Sequence, residues 1–342
     1  MRALTVQPLT PDSLELSELP EPRPGPGELL VDGLALGICG TDREIISGAY
    51  GFPGDRLVLG HESLGRVRTA PPESGFAPGD LVVGVVRRPD PAPCGACAHG
   101  EFDMCRTGDY TERGIKGLDG YGAEQWVVEA DYAVKLDPGL GEAGVLMEPA
   151  SVVAKAWEQA ERVGGRAWFE PRTVLVTGAG PIGLLAALLG VQRGLEVHVL
   201  DRAADGAKPD AVRALGATYH TDPAEVAPPD VVIEATGAPG LVLDAVARTA
   251  AYGVTVLTGV SSGGHDIDVD LGATNRSIVL ENDAVVGSVN ANLRHYAAAA
   301  DALAAADNDW LERLISRRVP LADYRDAFEP RPDDIKVVVA LT

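Results

Sequence analysis

The hydrophobic pattern divides the chain into two regions of different character. In residues 1–36, short apolar runs of strand type are separated by turn-rich segments, and the first helical pattern comes after Gly40. Strand-like and helical segments alternate in residues 173–286. Such alternation requires parallel strands joined by right-handed crossovers, because a hairpin cannot join parallel neighbours. The pattern therefore predicts a β-rich first region and an α/β region containing a doubly wound parallel sheet.

The local patterns also predict the individual elements. Outside the α/β region, predicted strands cover residues 2–7, 28–36, 56–59, 125–128 and 335–341. Inside it, predicted strands cover residues 173–177, 195–200, 231–235, 254–259 and 284–287. Predicted helices cover residues 41–47 (capped by Thr41 or Asp42), 142–162 (interrupted at Pro149), 181–193, 207–215, 292–305 and 309–317.

The most informative segment, residues 173–202, contains a strand, a glycine-rich turn with GxGxxG spacing and a long apolar helix. Free N–H groups and the helix dipole at such a turn attract a pyrophosphate. The turn residues predicted to contact a dinucleotide are Gly178, Gly180, Pro181, Ile182 and Gly183. Asp201 ends the next strand about where an acid bonds the ribose of NAD, and Thr236 and Gly237 end another strand at the same sheet edge. The segment predicts a dinucleotide site.

Two alternatives concern this segment. Residues 173–192 carry no charge and are about as long as a membrane span, but the glycines and Pro181 interrupt them, so nucleotide binding is favoured. The second alternative is the cofactor. Asp201 should repel a 2′-phosphate, whereas Arg202, helped by Lys208 or Arg213, could neutralise one. We therefore expect NAD to be the favoured cofactor, with NADP possible.

Length and charge narrow the class of protein. The 342 residues exceed the usual range of one domain, so two domains are expected. The formal net charge of −21, without a Lys/Arg run, argues against nucleic acids and anionic membranes as partners. Residues 1–10 show neither the apolar stretch nor the cleavage pattern of a secretory signal, which predicts a cytoplasmic enzyme.

Cysteine placement indicates metal. Three of the four cysteines fall within residues 94–105, and without a secretory signal such a cluster favours metal binding over disulfides. Cys39, His61 and Glu62 are all side chains that bind zinc. Each alone is weak evidence, since single buried cysteines and histidines are more often packed or hydrogen-bonded core groups. As a set, they indicate a second metal site.

These motifs together resemble the zinc-dependent medium-chain alcohol dehydrogenases, over essentially the whole chain. The motifs shared with that superfamily are residues 37–42 (GICGTD), 60–65 (GHESLG), 76–82 (FAPGDLV) and 178–183 (GAGPIG). Four further motifs are similar to the glucose 1-dehydrogenase branch: residues 87–89 (RRP), 110–115 (YTERGI), 147–149 (MEP) and 287–290 (GSVN).

The resemblance implies a Rossmann domain, with its doubly wound parallel sheet, and a β-rich GroES-like catalytic domain. It places the first part of the catalytic domain at residues 1–150, the Rossmann domain at 151–286 and the return to the catalytic domain at 287–342. It implies oxidation of a sugar, D-glucose first, at C1 to the lactone with hydride transfer to NAD(P), and a homodimer or homotetramer. Another polyol or an aminocyclitol is the alternative substrate. A non-catalytic dinucleotide-binding protein is a remote reading, because the zinc ligands are all present.

The resemblance also assigns site residues. The catalytic zinc ligands are Cys39 and His61, with Glu62 and Glu148 as direct or exchanging ligands; Thr41 begins the proton relay; Glu112, Glu148 and Asn290 face the substrate. The structural zinc ligands are Cys94, Cys97 and Cys105; the first cysteine of the family's lobe is absent, so Asp90 is the first candidate for the fourth position, with His99 and Asp103 behind it. A metal-free loop with three thiols is the alternative. Glu112 could instead be a solvated loop charge, and Glu148 an ordinary charge at a domain junction. His295 is expected on a helix surface without a role.

Overall fold

The computed structural model describes residues 1–261 and 267–342. Numbered in chain order, the strands within these residues are β1 (Arg2–Val6), β2 (Glu15–Glu18), β3 (Glu28–Ile38), β4 (Leu57–Val58), β5 (Glu62–Thr69), β6 (Leu81–Gly84), β7 (Arg87–Arg88), β8 (Thr111–Arg113), β9 (Gly117–Leu118), β10 (Gln125–Glu129), β11 (Ala133–Lys135), β12 (Thr173–Thr177), β13 (Glu196–Leu200), β14 (Thr218–His220), β15 (Val231–Glu234), β16 (Val254–Leu257), β17 (Ala284–Gly287), β18 (Ile315–Pro320) and β19 (Lys336–Ala340).

The α-helices within the same residues are α1 (Gly40–Ile46), α2 (Gly95–Ala98), α3 (Met147–Gly164), α4 (Pro181–Gln192), α5 (Ala207–Ala214), α6 (Pro239–Ala247), α7 (Leu271–Glu281), α8 (Leu293–Ala304), α9 (Asn308–Leu314) and α10 (Arg325–Phe328). Short 3₁₀ helices cover Phe102–Met104, Ala130–Tyr132, Pro138–Leu146, Pro223–Glu225 and Leu321–Asp323.

The chain forms two compact units. The first, which we call the split unit, consists of Met1–Ser151 and Asn290–Thr342, and the second, the inserted unit, consists of Val152–Val289. The first boundary falls inside α3, so this helix begins in one unit and ends in the other.

The split unit is rich in mostly antiparallel β-structure. Within the described residues its largest sheet has the order β11-β6-β5-β3-β19-β18, with β10 also paired to β3, and smaller sheets have the orders β2-β1-β4 and β7-β8-β9. Strand β19, near the end of the chain, lies between β3 and β18. A core that includes Leu4, Leu36 and Leu341 joins residues from both ends of the chain. The return of the chain to its first half is therefore built into this core.

The inserted unit contains the parallel sheet predicted from the alternating pattern. Its strand order is β14-β13-β12-β15-β16-β17, all parallel, which is the doubly wound order with β12 and β15 at the topological switch point. Helix α4 is buried from Gly183 through Gly190 and packs on β12 and β13. A helix buried on all sides can be apolar all round, which accounts for the uncharged stretch that resembled a membrane span. Among the described helices, none is long and apolar enough to cross a bilayer.

Three local predictions were wrong for identifiable reasons. Helix α1 is capped by Cys39 instead of Thr41 or Asp42, and the Asp42 side chain accepts the Cys39 N–H at 2.9 Å from the third helical position. Pro149 does not interrupt α3, because it lies in the first turn, where a missing N–H costs no hydrogen bond. The helix predicted to reach residue 317 ends at Leu314, and β18 begins at once with Ile315.

Candidate metal centres and dinucleotide turn

The first metal-binding group is built by neighbouring antiparallel strands. Cys39 follows the end of β3, and His61 precedes β5, whose first residue Glu62 is in register with Gly37 on β3. The ligand atoms of Cys39, His61 and Glu62 all lie within 4.8 Å of one another, and His61 and Glu62 are buried. The sheet register thus brings the thiol, the imidazole and the carboxylate to one place.

The histidine of this group is held by a buried carboxylate. Asp42 Oδ1 lies 3.3 Å from His61 Nδ1, and its other oxygen accepts the Cys39 N–H. Burial alone would lower the pKa of His61, but the charge of Asp42 and its hydrogen bond raise it well above the usual value. The surroundings of the imidazole therefore favour positive charge, which suits a bound cation and an oriented imidazole ligand.

Glu62 has a buried cationic partner that is distant in sequence. Lys336 Nζ, on β19, lies 2.5 and 2.7 Å from the two carboxylate oxygens of Glu62 and donates to Ile38 O at 3.2 Å. Burial alone would lower the pKa of Lys336, whereas the charge of Glu62 raises it. The ion pair holds the Glu62 side chain at the edge of the group.

Glu148 lies near this group without belonging to it. It stands in the first turn of α3, half-buried, and it is not part of the set of ligand atoms within 4.8 Å. Desolvation raises the pKa of Glu148 to about 7; His61 opposes this rise and Glu62 adds to it. Thr41, in the first turn of α1, is also half-buried. A thiol, an imidazole and two carboxylates are a donor set that fits zinc.

The second metal-binding group is the cysteine lobe, residues 90–107. The sulfur atoms of Cys94, Cys97 and Cys105 lie within 4.8 Å of one another. The Arg106 and Cys97 N–H groups lower the pKa of Cys94 to about 6, while burial and the adjacent thiols raise the pKa of Cys97 to about 11. Because thiolates this close repel, the lobe favours a cation that neutralises them, and three sulfurs fit zinc.

The candidates for a fourth ligand in the lobe all have other partners. The Asp90 carboxylate accepts from Thr107 Oγ1 at 2.5 Å and from the Ala92 N–H at 2.8 Å. His99 Nδ1 lies 2.7 Å from Gly95 O, and Asp103 Oδ1 accepts from Asn292 Nδ2 at 2.9 Å. Within the described residues, none of the three belongs to the sulfur group. Asp90 as the fourth ligand stays a prediction.

Glu112 and Asn290, the predicted substrate contacts, lie together in the split unit. Asn290 Nδ2 donates to Glu112 Oε1 at 2.7 Å, and Arg87 donates to the same oxygen through Nε at 3.0 Å. The Arg87 guanidinium also stacks on Tyr110, 3.8 Å from the ring centroid. Glu112 is only 4% exposed, so the alternative of a solvated loop charge is wrong. The β7-β8 pairing produces this arrangement, because Arg87 and Glu112 are register partners.

The inserted unit carries the glycine-rich turn in the predicted position, between β12 and α4. Gly178 has φ of +92°, and a Cβ at Gly183 would lie 1.8 Å from Gly178 O, so both positions require glycine. A Cβ at Gly180 would meet only open space, which leaves room for a ligand beside the backbone. Pro181 and Ile182 begin α4, and the N–H groups of a first helical turn have no partner within the helix, which suits the binding of an anion.

Carboxylates support the turn at the sheet edge. Asp201 accepts the Ala179 N–H at 2.6 Å through one oxygen and the Arg202 N–H at 2.6 Å through the other. Glu234, fully buried at the end of β15, accepts from the N–H groups of both Thr236 and Gly237. Arg202 and Arg213 are exposed, and Arg213 pairs with Asp210. Asp201 therefore holds the glycine turn directly, a contact that the sequence does not reveal.

Three supporting residues were missed by sequence reasoning. Asp42 had a usable signal, because it stands three residues after Cys39 at capping-box spacing. Glu234 had a weaker signal as a charge at the carboxyl end of an apolar strand. Lys336 had none, since its partner Glu62 is 274 positions away. The prediction that His295 lies on the surface was wrong, because its exposed fraction is only 2%.

Comparisons with known proteins agree with this description. Residues 141–341 match the family "Glucose dehydrogenase C-terminus", and residues 25–138 match "Alcohol dehydrogenase GroES-like domain". A glucose 1-dehydrogenase of Thermoproteus tenax is 43% identical over 99% of both chains. One of Halobacterium salinarum is 41% identical over 95% of both. The structure titled Haloferax mediterranei glucose dehydrogenase in complex with NADP, Zn and gluconolactone has a TM-score of 0.91 at 34% identity, covering 100% of this chain and 99% of that one.

A parallel dinucleotide-type sheet, together with a GroES-like unit bearing a Cys-His-Glu group, defines the class of zinc-dependent medium-chain dehydrogenases. Within that class, the chain belongs to the glucose dehydrogenase family.

Proposed function

We propose that the protein oxidises an aldose, D-glucose first, at C1 to the lactone, with hydride transfer to NAD or NADP. The observation that carries the proposal is that the split unit contains both the Cys39-His61-Glu62 group and the hydrogen-bonded pair of buried Glu112 and half-buried Asn290. The named relatives support the same substrate, since they are glucose dehydrogenases and one structure contains gluconolactone. In this proposal residues 1–150 and 287–342 form the catalytic domain, and residues 151–286 form the Rossmann domain.

The catalytic zinc would be held by Cys39 and His61, with Glu62 and Glu148 as direct or exchanging ligands. Zinc supplies a Lewis acid that favours ionisation of the substrate's C1 hydroxyl, and NAD(P) supplies the hydride acceptor. Asp42 orients His61, and Lys336 competes with the metal for Glu62. Thr41 would take the hydroxyl proton as the first member of a relay. A second zinc would be held by Cys94, Cys97, Cys105 and Asp90.

Recognition of the sugar would fall to Glu112, Glu148 and Asn290. Arg87 and Asn290 both donate to Oε1 of Glu112, which fixes the carboxylate and leaves Oε2 to accept from a sugar hydroxyl. A site built to bond hydroxyl groups discriminates strongly, because an analogue without the hydroxyl leaves buried polar groups unpaired. Oxidation of another polyol or an aminocyclitol is the alternative, since the metal chemistry would be the same.

The dinucleotide would lie at the turn formed by Gly178, Gly180, Pro181, Ile182 and Gly183, with Thr236 and Gly237 beside it. Asp201 would accept from the ribose 2′-OH, which favours NAD, while Arg202 would permit NADP. A cytoplasmic location and a homodimer or homotetramer complete the proposal. Within the described residues β17 pairs only with β16 and carries the 38% exposed Val285, and this apolar strand edge supports self-association.

The test is the initial rate of cofactor reduction on zinc-replete protein with saturating D-glucose, run in parallel with NAD and NADP. A rate of at least about one per second with either cofactor is expected of an enzyme on its own substrate. The ratio of kcat/KM for the two cofactors tests the role of Asp201, and NAD should be favoured.

Cys39→Ser is the matched variant, because it removes a zinc ligand with a change of one atom and should abolish turnover. Background rates from wild-type protein shown to contain zinc would reject glucose, and a panel of polyols and aminocyclitols would then identify the substrate. Full activity of Cys39→Ser would reject the zinc mechanism itself.

A further inference from the structure

The cysteine lobe and the Glu112 site are connected through the short helix Phe102–Met104, which lies between Cys97 and Cys105. Its central residue, Asp103, is 3% exposed. The side chain faces the start of α8, and the backbone carbonyl faces β7. A buried carboxylate inside a metal-binding lobe would ordinarily be read as a ligand, yet its oxygen atoms lie outside the sulfur group. Its contacts therefore call for another explanation.

The backbone of Asp103 holds the arginine that holds Glu112. Arg87 Nη1 donates to Asp103 O at 3.0 Å, while Nε and Nη2 of the same guanidinium lie 3.0 and 2.9 Å from Glu112 Oε1. Arg87 is 6% exposed and Glu112 is 4% exposed. Because a guanidinium is planar and rigid, fixing Nη1 also fixes the direction of the other two donors.

The side chain of Asp103 holds the segment that carries Asn290. Asn292 Nδ2 donates to Asp103 Oδ1 at 2.9 Å, and Asn292 Oδ1 caps α8 by accepting the Arg294 N–H at 3.1 Å. Two residues earlier, Asn290 has a left-handed φ of +62° and donates to Glu112 Oε1. Asparagine adopts this left-handed conformation more readily than other non-glycine residues, and the Asn292 contact anchors the same segment two residues further on.

These contacts close a ring. It runs from Asp103 to Arg87, to Glu112, to Asn290, along the chain to Asn292, and back to Asp103. We infer that Asp103 is a positioning residue for sugar recognition: through Arg87 and Asn292 it fixes Glu112 and Asn290 in the arrangement that binds substrate hydroxyls. The inference rests on the proposed function, because it takes Glu112 as the sugar-binding carboxylate.

The ring predicts a specific kinetic signature. Asp103→Ala deletes the nearer acceptor of Asn292 and leaves its Nδ2 only the longer contact to Glu101 Oε2 at 3.4 Å, which loosens the Asn290 segment. The KM for D-glucose should therefore rise about tenfold, the usual size for one hydrogen bond to a charged group. kcat should change less than about twofold, because Asp103 touches no atom of the metal group. The KM for the cofactor should stay unchanged.

The conservative variant provides the sharpest control. In Asp103→Asn the amide oxygen can accept from Asn292 in the same position, and the amide N–H would face His295 Nδ1, which already acts as an acceptor for the Asn292 N–H. Asp103→Asn should therefore restore the KM for D-glucose to within about threefold of wild type. A loss as large as that of Asp103→Ala would overturn the inference.

A second variant tests the ring from outside the lobe. Asn292→Ser keeps an oxygen able to cap α8 but is too short to reach Asp103, so it should reproduce the KM change even if Asp103→Ala fails to fold. Asp109→Ala, at an exposed acid just beyond the lobe, should behave as wild type. An unchanged KM for D-glucose in Asn292→Ser would overturn the inference, as would a parallel rise in the cofactor KM.

The double variant Asp103→Ala/Glu112→Gln shows whether Asp103 acts through Glu112. If it does, the double variant should have the same KM for D-glucose as Glu112→Gln alone, whereas independent effects would multiply. Failure of the proposed function gives a different kinetic result from failure of this inference. Wild-type protein inactive on aldoses rejects that function. Active wild type with a raised KM in Glu112→Gln, but with neither Asp103→Ala nor Asn292→Ser affected, rejects this inference alone.

Discussion

Lys336 and Glu62 form a buried ion pair whose energetics differ from those of the surface pairs. Both side chains are 2% exposed, and the ammonium lies 2.5 Å from a carboxylate oxygen. Removing one partner of a buried pair leaves an uncompensated charge, which costs far more than breaking an exposed pair. The pair Lys135 and Asp80, at 2.8 Å with the lysine 50% exposed, offers an internal comparison.

Lys336→Met is therefore predicted to lower the free energy of unfolding of the zinc-free protein by about 3 kcal/mol at pH 7. Lys135→Met should lower it by less than about 1 kcal/mol. Urea denaturation followed by circular dichroism measures both values. The double variant Lys336→Met/Glu62→Gln should recover much of the loss, because a neutral amide needs no counter-charge. Equal losses in the two lysine variants would show that burial does not set the energy of this pair.

At the residue scale, the sequence identified candidate metal ligands better than the residues that contact them. Cys39, His61 and Glu62 stand in short local motifs, and the structure brings them together. Lys336 could not be found in the same way. It reaches Glu62 only because the fold brings together two residues that are 274 positions apart, and no local pattern reports such a contact. The burial of Glu112 also could not be predicted from the sequence, since it depends on the pairing of β7 and β8 that makes Arg87 its register partner.

At the scale of elements, Glu129 joins two sheets of the split unit. It ends β10 and lies 2.7 Å from Arg88 on β7 and 3.4 Å from Arg113 on β8. Burial alone would raise the pKa of Glu129, but the hydrogen bond and charge of Arg88 outweigh it and lower the pKa to about 2. The ionised form is therefore favoured in the folded protein more than in the unfolded chain.

This shift fixes the direction of a pH effect. A carboxyl with a lowered pKa stabilises the fold above its ordinary value near 4.5, and the stabilisation is lost as the pH falls toward 2. Glu129→Gln should consequently lower the urea midpoint at pH 6, and the difference from wild type should shrink as the pH drops from 5 to 3. A difference that stays constant over that range would contradict the assigned pair.

Element boundaries followed the hydrophobic pattern where one period dominated. Strands β12 and β17 have the predicted limits, because each is a short run rich in β-branched residues that is closed by a glycine. The helix expected to reach residue 317 failed at Ile315, where the chain joins β19 in the large sheet. Pairing with β19 makes this segment a strand, and the sequence of one segment alone does not show which strand it will pair with.

At the scale of the whole molecule, the β17 edge is an exposed apolar surface. Within the described residues β17 pairs only with β16, and its Val285 is 38% exposed. Val279 and Leu280, on the preceding helix α7, are 64% and 65% exposed. An unprotected strand edge beside apolar side chains favours pairing with a second copy.

Val285→Lys is predicted to shift the protein toward the monomer. A lysine placed on the edge would oppose strand addition, while its long stem still fits the half-exposed position. Sedimentation velocity measures the mass of both proteins. Exposed Val260, at 75%, gives the control variant Val260→Lys outside the β17 edge. An unchanged mass for Val285→Lys would place the contact elsewhere.

The division of the split unit into two chain segments also determines the order in which the two units can fold during synthesis. The inserted unit is a continuous segment and can close its sheet before synthesis ends, whereas the other unit must wait for Asn290–Thr342. Strand β19 is made after the inserted unit, yet it fills an interior place in the sheet between β3 and β18 and delivers Lys336 to Glu62. A nascent chain that has not yet reached β19 would therefore present the Glu62 carboxylate without its buried ion-pair partner, and Glu62 would be free of this competitor for a metal until β19 joins the sheet.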